Sequence, residues 1–488
     1  MRIQERSRKM RKRMWSCRRG WKPWPAGRRL LGRQRGQVHD IMKGVKDMTR
    51  GNPFALLFGF AFSLMIGNVF QQLYTFVDTM IVGKYLGVTA LAALGATEWL
   101  VFVMFGCVQG MSQGFSISMA QRFGSQDGEG LKKDMGASII LCLFLGVFFT
   151  VLGQILCKPM LLMLQTPKEI MGMAQVYLRT LYGGVGISFG YNILAAFLRA
   201  LGDSRTPLVA VSMAAVCNMM LDFIFVVVLH GGVFGAAAAT LLSQLFSAGY
   251  CLWAIRAGGL VQLHREDFQI QPERIGRLLR LGIPMGLQNV ITGIGGMAVQ
   301  WVINGFGTLF VAGFTAANKL YGLLETAAVS YSYAVVSYTG QNVGAGDYRR
   351  VRKGFGAACI LGTMTAGVMS LIMLVFGRPI LMCFLSGEER VLVRTVETGY
   401  TFLRILAAFF WLLYLLYIIR ACVQGMGNTI LPMCSSFLQL VMRVVCALFL
   451  TIEIGENGVF WGEVCAWILA DVFLGLCFVW VYKRRTLE

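Results

Sequence analysis

The sequence predicts an all-α integral membrane protein with twelve transmembrane helices in two six-helix lobes, related by a pseudo-two-fold axis along the membrane normal. Three observations predict this class: long apolar segments recur along the chain, basic residues are unevenly distributed, and an internal repeat divides the chain in two. The composition agrees, because 56% of the 488 residues are hydrophobic and only 14% are charged. Such a chain is far too apolar for a soluble protein of this length.

The apolar segments are long enough to cross a hydrocarbon core of about 30 Å as helices. Helices are expected because backbone polar groups in lipid must form hydrogen bonds within their own segment. The predicted spans are 54–77, 90–120, 135–157, 173–198, 207–229, 233–256, 278–303, 309–338, 354–377, 397–421, 431–451 and 458–482.

The basic residues predict the orientation of these spans. A net charge of +21 would suggest a nucleic-acid partner in a soluble protein. Here 35 of the 45 Lys and Arg residues fall on the side of the two termini, and six fall on the other side. The positive-inside rule therefore predicts a multi-pass protein of the cell membrane with both termini in the cytoplasm, and a lipid bilayer rather than nucleic acid as its partner.

The first 47 residues form a basic tail that lacks the apolar core of a secretory signal. Three interpretations are open: a disordered tail near anionic lipid, a targeting segment, or an over-long start with Met42 or Met48 as the true first residue. We favour the last. Beyond the tail we predict an N-lobe at 48–256, a cytoplasmic linker at 257–277 and a C-lobe at 278–488.

The two lobes are predicted from an internal repeat. The stretch "AQRFGSQDGEGLKKDMGAS" from Ala120 matches "GQNVGAGDYRRVRKGFGAA" from Gly340 at an offset of 220, and "RALGDSRTP" (199–207) matches "QGMGNTILP" (424–432) at an offset of 225. Because each half has six spans, both halves enter the membrane from the same side. Parallel repeats of this kind are typical of secondary transporters, although a duplication can also simply build a large bundle.

Cysteine and histidine patterns exclude other classes of site. Thirteen Cys residues form no CxxC pair and the chain has three His, so neither a disulfide framework nor a zinc site is predicted. Since no HxxxD, metal-cluster or nucleophile motif is found, we predict that the protein is not an enzyme and has no cofactor apart from a coupling ion.

Oxygen-bearing side chains in the first half mark a candidate cation site. Tyr74 and Asp78 are four residues apart and share a helix face, as do Asn218 and Asp222, and Thr240 follows on the next span. Burying an acid near the bilayer centre costs about 2.5–3.5 kcal/mol or more, so buried acids usually have a function. The alternative is that Asp78 lies in the headgroup region and Asp222 bonds a neighbouring helix.

The ion can be Na⁺ or H⁺. Oxygen ligands at Asp78, Asn218, Asp222 and Thr240 suit a hard cation such as Na⁺. Two desolvated, mutually repulsive carboxylates could instead carry a proton, and we lean to protons because no sixth fixed ligand is evident. At the repeat offsets, the four positions correspond to Ala298, Arg443, Ala447 and Cys465. The second half therefore has the scaffold without the acids, as expected of one ion site.

Several ordered motifs from Met48 onward resemble the multidrug and toxic compound extrusion (MATE) family, in its bacterial and archaeal branch. They are "FQQLYTFVDTMIVGKYLGVTALAALGAT", "FLRALGDSRTPL", "NMMLDFIFVVVLHGGVFGAAAATLLSQ" and "LGIPMGLQN". The resemblance implies a Na⁺- or H⁺-coupled antiporter that expels organic cations and other amphiphilic toxins from the cytoplasm, and we expect the protein to be a monomer. It also implies an N-lobe ion site at Tyr74, Asp78, Asn218, Asp222 and Thr240.

The sequence departs from this family in two places. Leu64 stands where the family commonly has Pro, so a kink in the first helix is not expected from the sequence. The seventh span offers Gln288 and Asn289 where another branch has Glu. Candidate substrate contacts are Gln288, Asn289, Glu325 and Arg443, with Lys319 as a possible ion-pair partner of Glu325.

The alternative function is a lipid-linked oligosaccharide flippase of the same superfamily. Such a protein needs several basic residues in its cavity to hold pyrophosphate. The basic residues well inside the predicted spans are Arg179, Lys319, Arg404 and Arg443. This small number favours the antiporter.

Overall fold

The structure is a computed structural model that describes residues 46–258, 261–384 and 389–487, so nearly all of the basic tail lies outside it. The regular elements of these residues are helices. They are α1 (Pro53–Gly124), α2 (Gly128–Met163), α3 (Lys168–Gly183), α4 (Val185–Ala200), α5 (Arg205–Asp222), α6 (Gly232–Ala257), α7 (Pro272–Asn304), α8 (Thr308–Gly344), α9 (Tyr348–Phe384), α10 (Glu389–Gly425), α11 (Ile430–Val445), α12 (Thr451–Ile454) and α13 (Asn457–Leu487).

The twelve predicted spans are confirmed in order. The helix α1 contains the first two, which are separated where Gly87 adopts a φ of 84°, a conformation that glycine tolerates. The fourth is α3 plus α4, bent by 47°. The fifth and eleventh end in π-helical turns, Phe223–Val228 after α5 and Cys446–Leu450 after α11. Leu64 lies in uninterrupted helix, as its sequence suggests.

The outer surface suits a bilayer. Among the described residues, eight helical segments are long and apolar enough to span it, and the bent pair makes a ninth. The less apolar helices α7 and α8 pack against α1 between the lobes. Large apolar side chains such as Phe144, Trp301 and Ile452 are more than 70% exposed, which is stable only against lipid.

The two lobes are joined at one end of the bundle by a pair of equivalent hydrogen bonds. The Gln121 amide donates to the carbonyl of Gly425 at 3.1 Å, and the Gln341 amide donates to the carbonyl of Ala200 at 2.8 Å. The repeat offsets relate Gln121 to Gln341 and Ala200 to Gly425. One lobe-to-lobe contact is therefore made twice, as the pseudo-two-fold axis requires. We call these four residues the clasp, and this end the basic end.

Glycines allow the backbones to meet at the clasp. A Cβ on Gly124 would overlap the carbonyl of Gln341, and a Cβ on Gly344 would overlap the carbonyl of Gln121. The segment before α1 lies in the same layer: the Met48 amide donates to the Gln341 side chain at 2.8 Å, and the Met48 carbonyl accepts from Arg350 at 3.2 Å. The basic end is thus closed in this conformation.

The linker between the lobes is held on the N-lobe. Val261 is buried in the N-lobe core, and a Cβ on Gly136 of α2 would overlap the carbonyl of Asp267. Near the end of the predicted linker, where α7 already begins, Arg274 pairs with Asp134 of α2, whose side chain is completely buried. Arg122 lies 3.5 Å from the same carboxylate. The start of the C-lobe is therefore anchored to α2.

Removing the Asp134 carboxylate should destabilise the fold. The variant Asp134→Ala removes the buried carboxylate that pairs with Arg274, and breaking such a pair costs about 3–5 kcal/mol. We expect a clearly lower Tm in detergent, measured by intrinsic fluorescence. The control is Glu129→Ala, which removes the exposed partner of Lys132 and should change Tm little. Equal effects of the two variants would contradict the anchoring role.

Candidate ion-binding site

The candidate site lies inside the N-lobe between α1, α5 and α6. Asp78 is 8% exposed, and Asn218 and Asp222 are completely buried. One turn after Asp78 and Asp222, respectively, Val82 and Val226 pack in a small apolar cluster. This cluster fixes the spacing of α1 and α5 beside the two acids.

The same cluster positions Thr240. Ala236 of α6 belongs to it, and the Thr240 hydroxyl, one turn later, donates to the Ala236 carbonyl at 3.2 Å. Because α6 returns through the bundle after a short turn, one turn along α6 leads back towards the level of Asp78 and Asp222. The structure thus places four of the predicted site residues on three helices that pack against one another at this cluster.

The polar atoms of the site are left without protein partners. Within the described residues, Asp78 Oδ1, both side-chain atoms of Asn218 and both carboxylate oxygens of Asp222 are buried and accept or donate no hydrogen bond. Neither acid has a Lys or Arg ion-pair partner in this part of the chain. Such atoms are costly unless something else satisfies them. A bound cation or proton would do so.

Two tyrosines complete the surroundings of the acids. Half-buried Tyr74 lies close enough to Asp78 and Asp222 to interact with both electrostatically. Tyr177 of α3 also interacts with Tyr74, Asp78 and Asp222, and it packs on the apolar cluster. The sequence analysis missed Tyr177, because a single Tyr in an amphipathic helix carries no distinguishing pattern.

The residues fit either coupling ion. No group of three or more His, Cys, Asp or Glu side chains that could hold a metal ion is found in the described ranges. Two carboxylates with amide and hydroxyl oxygens would hold Na⁺, and the carboxylates alone would hold a proton. The π-helical turn follows Asp222 in the N-lobe and recurs at the equivalent place in the C-lobe. The turn therefore belongs to the scaffold, whereas the acids are specific to the N-lobe.

The equivalent region of the C-lobe holds paired charges. Arg443, at the position of Asn218, forms an ion pair of 2.7 Å with Glu463. Glu325 accepts a hydrogen bond of 2.9 Å from Tyr417. Lys319 is not the partner of Glu325: it pairs with Glu98 of the N-lobe at 2.9 Å. The suggested Lys319–Glu325 pair is thus wrong, because residues six apart lie on different sides of a helix.

Gln288 and Asn289 have partners of their own. Buried Gln288 accepts a hydrogen bond from Gln424 at 3.0 Å, and Asn289 donates across the lobe interface to the carbonyl of Gly106 at 2.7 Å. The structure therefore places Gln288 in C-lobe packing and Asn289 in the interface. Their role as substrate contacts stays a prediction, as do those of Glu325 and Arg443.

A further buried acid was missed. Asp471 of α13 has two buried carboxylate oxygens without a hydrogen-bond partner in the described structure. Arg420 of α10 interacts with it electrostatically without forming an ion pair within 4 Å. The acid in the apolar stretch "AWILADVFLG" was the available signal.

Known proteins are similar to this chain in sequence and in fold. The chain matches the MatE family model over residues 63–224 and 284–449. It is 28% identical over 414 residues to the probable multidrug resistance protein YpnP of Bacillus subtilis, covering 85% of this chain and 92% of that protein.

Solved transporter structures superpose on it over most of its length. One, from Pyrococcus furiosus, is described as a MOP superfamily transporter with reversed polarity of its binding pocket. It has 26% identity and a TM-score of 0.83, and covers 90% of this chain and 97% of its own. Another is the outward-facing conformation of a multidrug resistance MATE family transporter, with 25% identity and a TM-score of 0.82 over 91% of this chain and 98% of its own. The chain belongs to the MatE family and has the fold of a polytopic membrane transporter.

Proposed function

We propose that this protein is a secondary antiporter of the cell membrane that exports lipophilic, often cationic compounds from the cytoplasm in exchange for H⁺ or Na⁺. The observation that carries the proposal is the set of buried, unpartnered oxygens around Asp78 and Asp222, which has no counterpart at the equivalent C-lobe positions. The name of the Bacillus relative, a multidrug resistance protein, supports the substrate class. The monomeric state and the cytoplasmic termini stay part of the proposal.

The geometry suggests how ion binding and transport are linked. With the clasp closed at the basic end, a compound from that side has no path between the lobes. Neutralising Asp78 or Asp222 removes their mutual repulsion and allows α1 and α5 to approach. A movement of α1 is transmitted to the lobe interface, because α1 also carries Gln121 of the clasp. Ion binding thus biases which end is open.

Transport in proteoliposomes tests this function and identifies the ion. A fluorescent organic cation should move when an ion gradient is imposed, and we expect it to follow ΔpH rather than ΔNa⁺, since a proton needs no sixth ligand. Transport that follows ΔNa⁺ and ignores ΔpH would contradict proton coupling but not the proposed export function. If a lipid-linked oligosaccharide moves and no dye does, the protein acts as a flippase and the antiporter proposal fails. That outcome is not expected, because Lys319 and Arg443 are held in ion pairs.

A further inference from the structure

Arg199, near the end of α4, is a buried cation without an acidic partner. It is 8% exposed, its Nε has no hydrogen-bond partner, and no carboxylate lies within ion-pair distance of it in the described part of the chain. The nearest acid in sequence, Asp203, is used elsewhere: it accepts from the backbone amide and the hydroxyl of Thr206 at 3.0 and 2.6 Å. The positive charge of Arg199 therefore lacks a counter-ion.

The surroundings of Arg199 come from both lobes. Its guanidinium lies 4.7 Å from the ring centre of Tyr333 on α8. The Tyr333 hydroxyl accepts a hydrogen bond of 2.9 Å from Gln109 of α1, so its own proton is free to be donated. Gln109 is exposed, so protein atoms do not fill the space beside this hydrogen bond. The other groups that interact with Arg199, Tyr191 and Cys251, are uncharged.

The repeat argues against a purely structural role. At the offset of 225, the C-lobe has Gln424 in place of Arg199, and Gln424 bonds Gln288 within its own lobe. The C-lobe has a buried guanidinium of its own at Arg420, one turn earlier on α10, but that residue interacts with the acid Asp471, whereas Arg199 has no acidic partner in the described residues. A positively charged Arg in the last turn of a helix is stabilised by the helix dipole, but that interaction needs no contact with the opposite lobe. The next residue, Ala200, belongs to the clasp, so the site lies just inside the closed end.

We infer that Arg199, with the Tyr333 hydroxyl, forms a subsite for a carboxylate on the transported compound. The guanidinium over the Tyr333 ring and the hydroxyl at the edge of that ring are two neighbouring donors. Such a pair suits a carboxylate, because charge-assisted hydrogen bonds are the strong ones. This inference rests on the proposed export function and narrows it: the substrates include amphiphiles that carry a carboxylate beside their cationic group. Opening the clasp would separate Arg199 from Tyr333, so the subsite exists in this conformation.

A matched pair of dyes tests the subsite: a rhodamine with a free carboxyl group and its methyl ester, which is a cation only. The variant Arg199→Gln carries the residue that the C-lobe has at the equivalent position, Gln424. In proteoliposomes it should raise the ratio of the carboxyl dye's KM to the ester's KM about tenfold. Arg199→Lys should restore much of the preference, since it keeps the charge. The control Arg205→Gln removes an exposed cation at the same end of the N-lobe and should leave the ratio unchanged.

The outcomes separate this inference from the proposed function. If wild-type protein exports neither dye, the export function fails. If it exports the ester but not the carboxyl dye, or if Arg199→Gln weakens export of both dyes equally, the carboxylate subsite is overturned and the export function stands. A raised ratio in Arg199→Gln, restored by Lys, supports the subsite.

Discussion

We expect ion-driven export to be lost in Asp78→Asn and in Asp222→Asn, while both variants stay folded. Each substitution removes the ionisable oxygen and little volume, so the helices keep their packing. We expect export to fall to the level of empty vesicles. Because each acid is a buried charge without a partner, its removal should leave Tm unchanged or raise it. The result is measured as gradient-driven dye transport and thermal unfolding of the same preparations.

Asp471→Asn is the matched control for these variants. Asp471 is also a membrane acid with unpartnered buried oxygens, but it lies in the C-lobe, away from the candidate site. We expect it to retain export. Full transport by both Asp78→Asn and Asp222→Asn, or loss of transport in Asp471→Asn alone, would remove the N-lobe site from the mechanism.

Gly124→Ala should block the transport cycle by keeping the basic end from closing. A methyl group at this position overlaps the carbonyl of Gln341, and neither backbone can move without breaking the clasp. Gly344→Ala places the same clash at the equivalent contact with Gln121. We expect each variant to reduce the rate of dye export by about tenfold or more, because an overpacking cost of about 1–3 kcal/mol falls on one conformation only.

The control for the clasp is Gly356→Ala. A Cβ at Gly356 meets no atom within 4 Å, and the residue lies within the helix α9, so Ala should be neutral or slightly stabilising. Normal export by Gly124→Ala and Gly344→Ala would show that the clasp is not part of the cycle. Reduced export by Gly356→Ala would show that the effect is not specific to the contact.

The spans, the two lobes and the acids were predictable from the sequence because each has a large energetic cause. Lipid demands long apolar helices, and Asp78 and Asp222 are too costly in such helices to lack a purpose. The parallel repeat then indicated which lobe carries the site. Patterns along the sequence are enough to predict the type and the order of the helices.

Contacts between elements could not be predicted in this way. The repeat shows that Gln121 and Gln341 are equivalent, but equivalence does not reveal that each reaches the opposite lobe. Proximity in sequence suggested Lys319 for Glu325, whereas helix geometry turns Lys319 towards Glu98. Tyr177 entered the site only because the bend between α3 and α4 and the packing of the apolar cluster place it there.

Ion release on substrate binding tests the central claim most directly. Purified protein in weakly buffered detergent solution is mixed with a saturating organic cation, and released H⁺ or Na⁺ is measured with a pH dye and an ion-selective electrode. If the Asp78–Asp222 site holds the coupling ion, wild-type protein releases about one ion per molecule and the double variant Asp78→Asn/Asp222→Asn releases none. Equal release from wild type and the double variant would contradict the assignment of the coupling site.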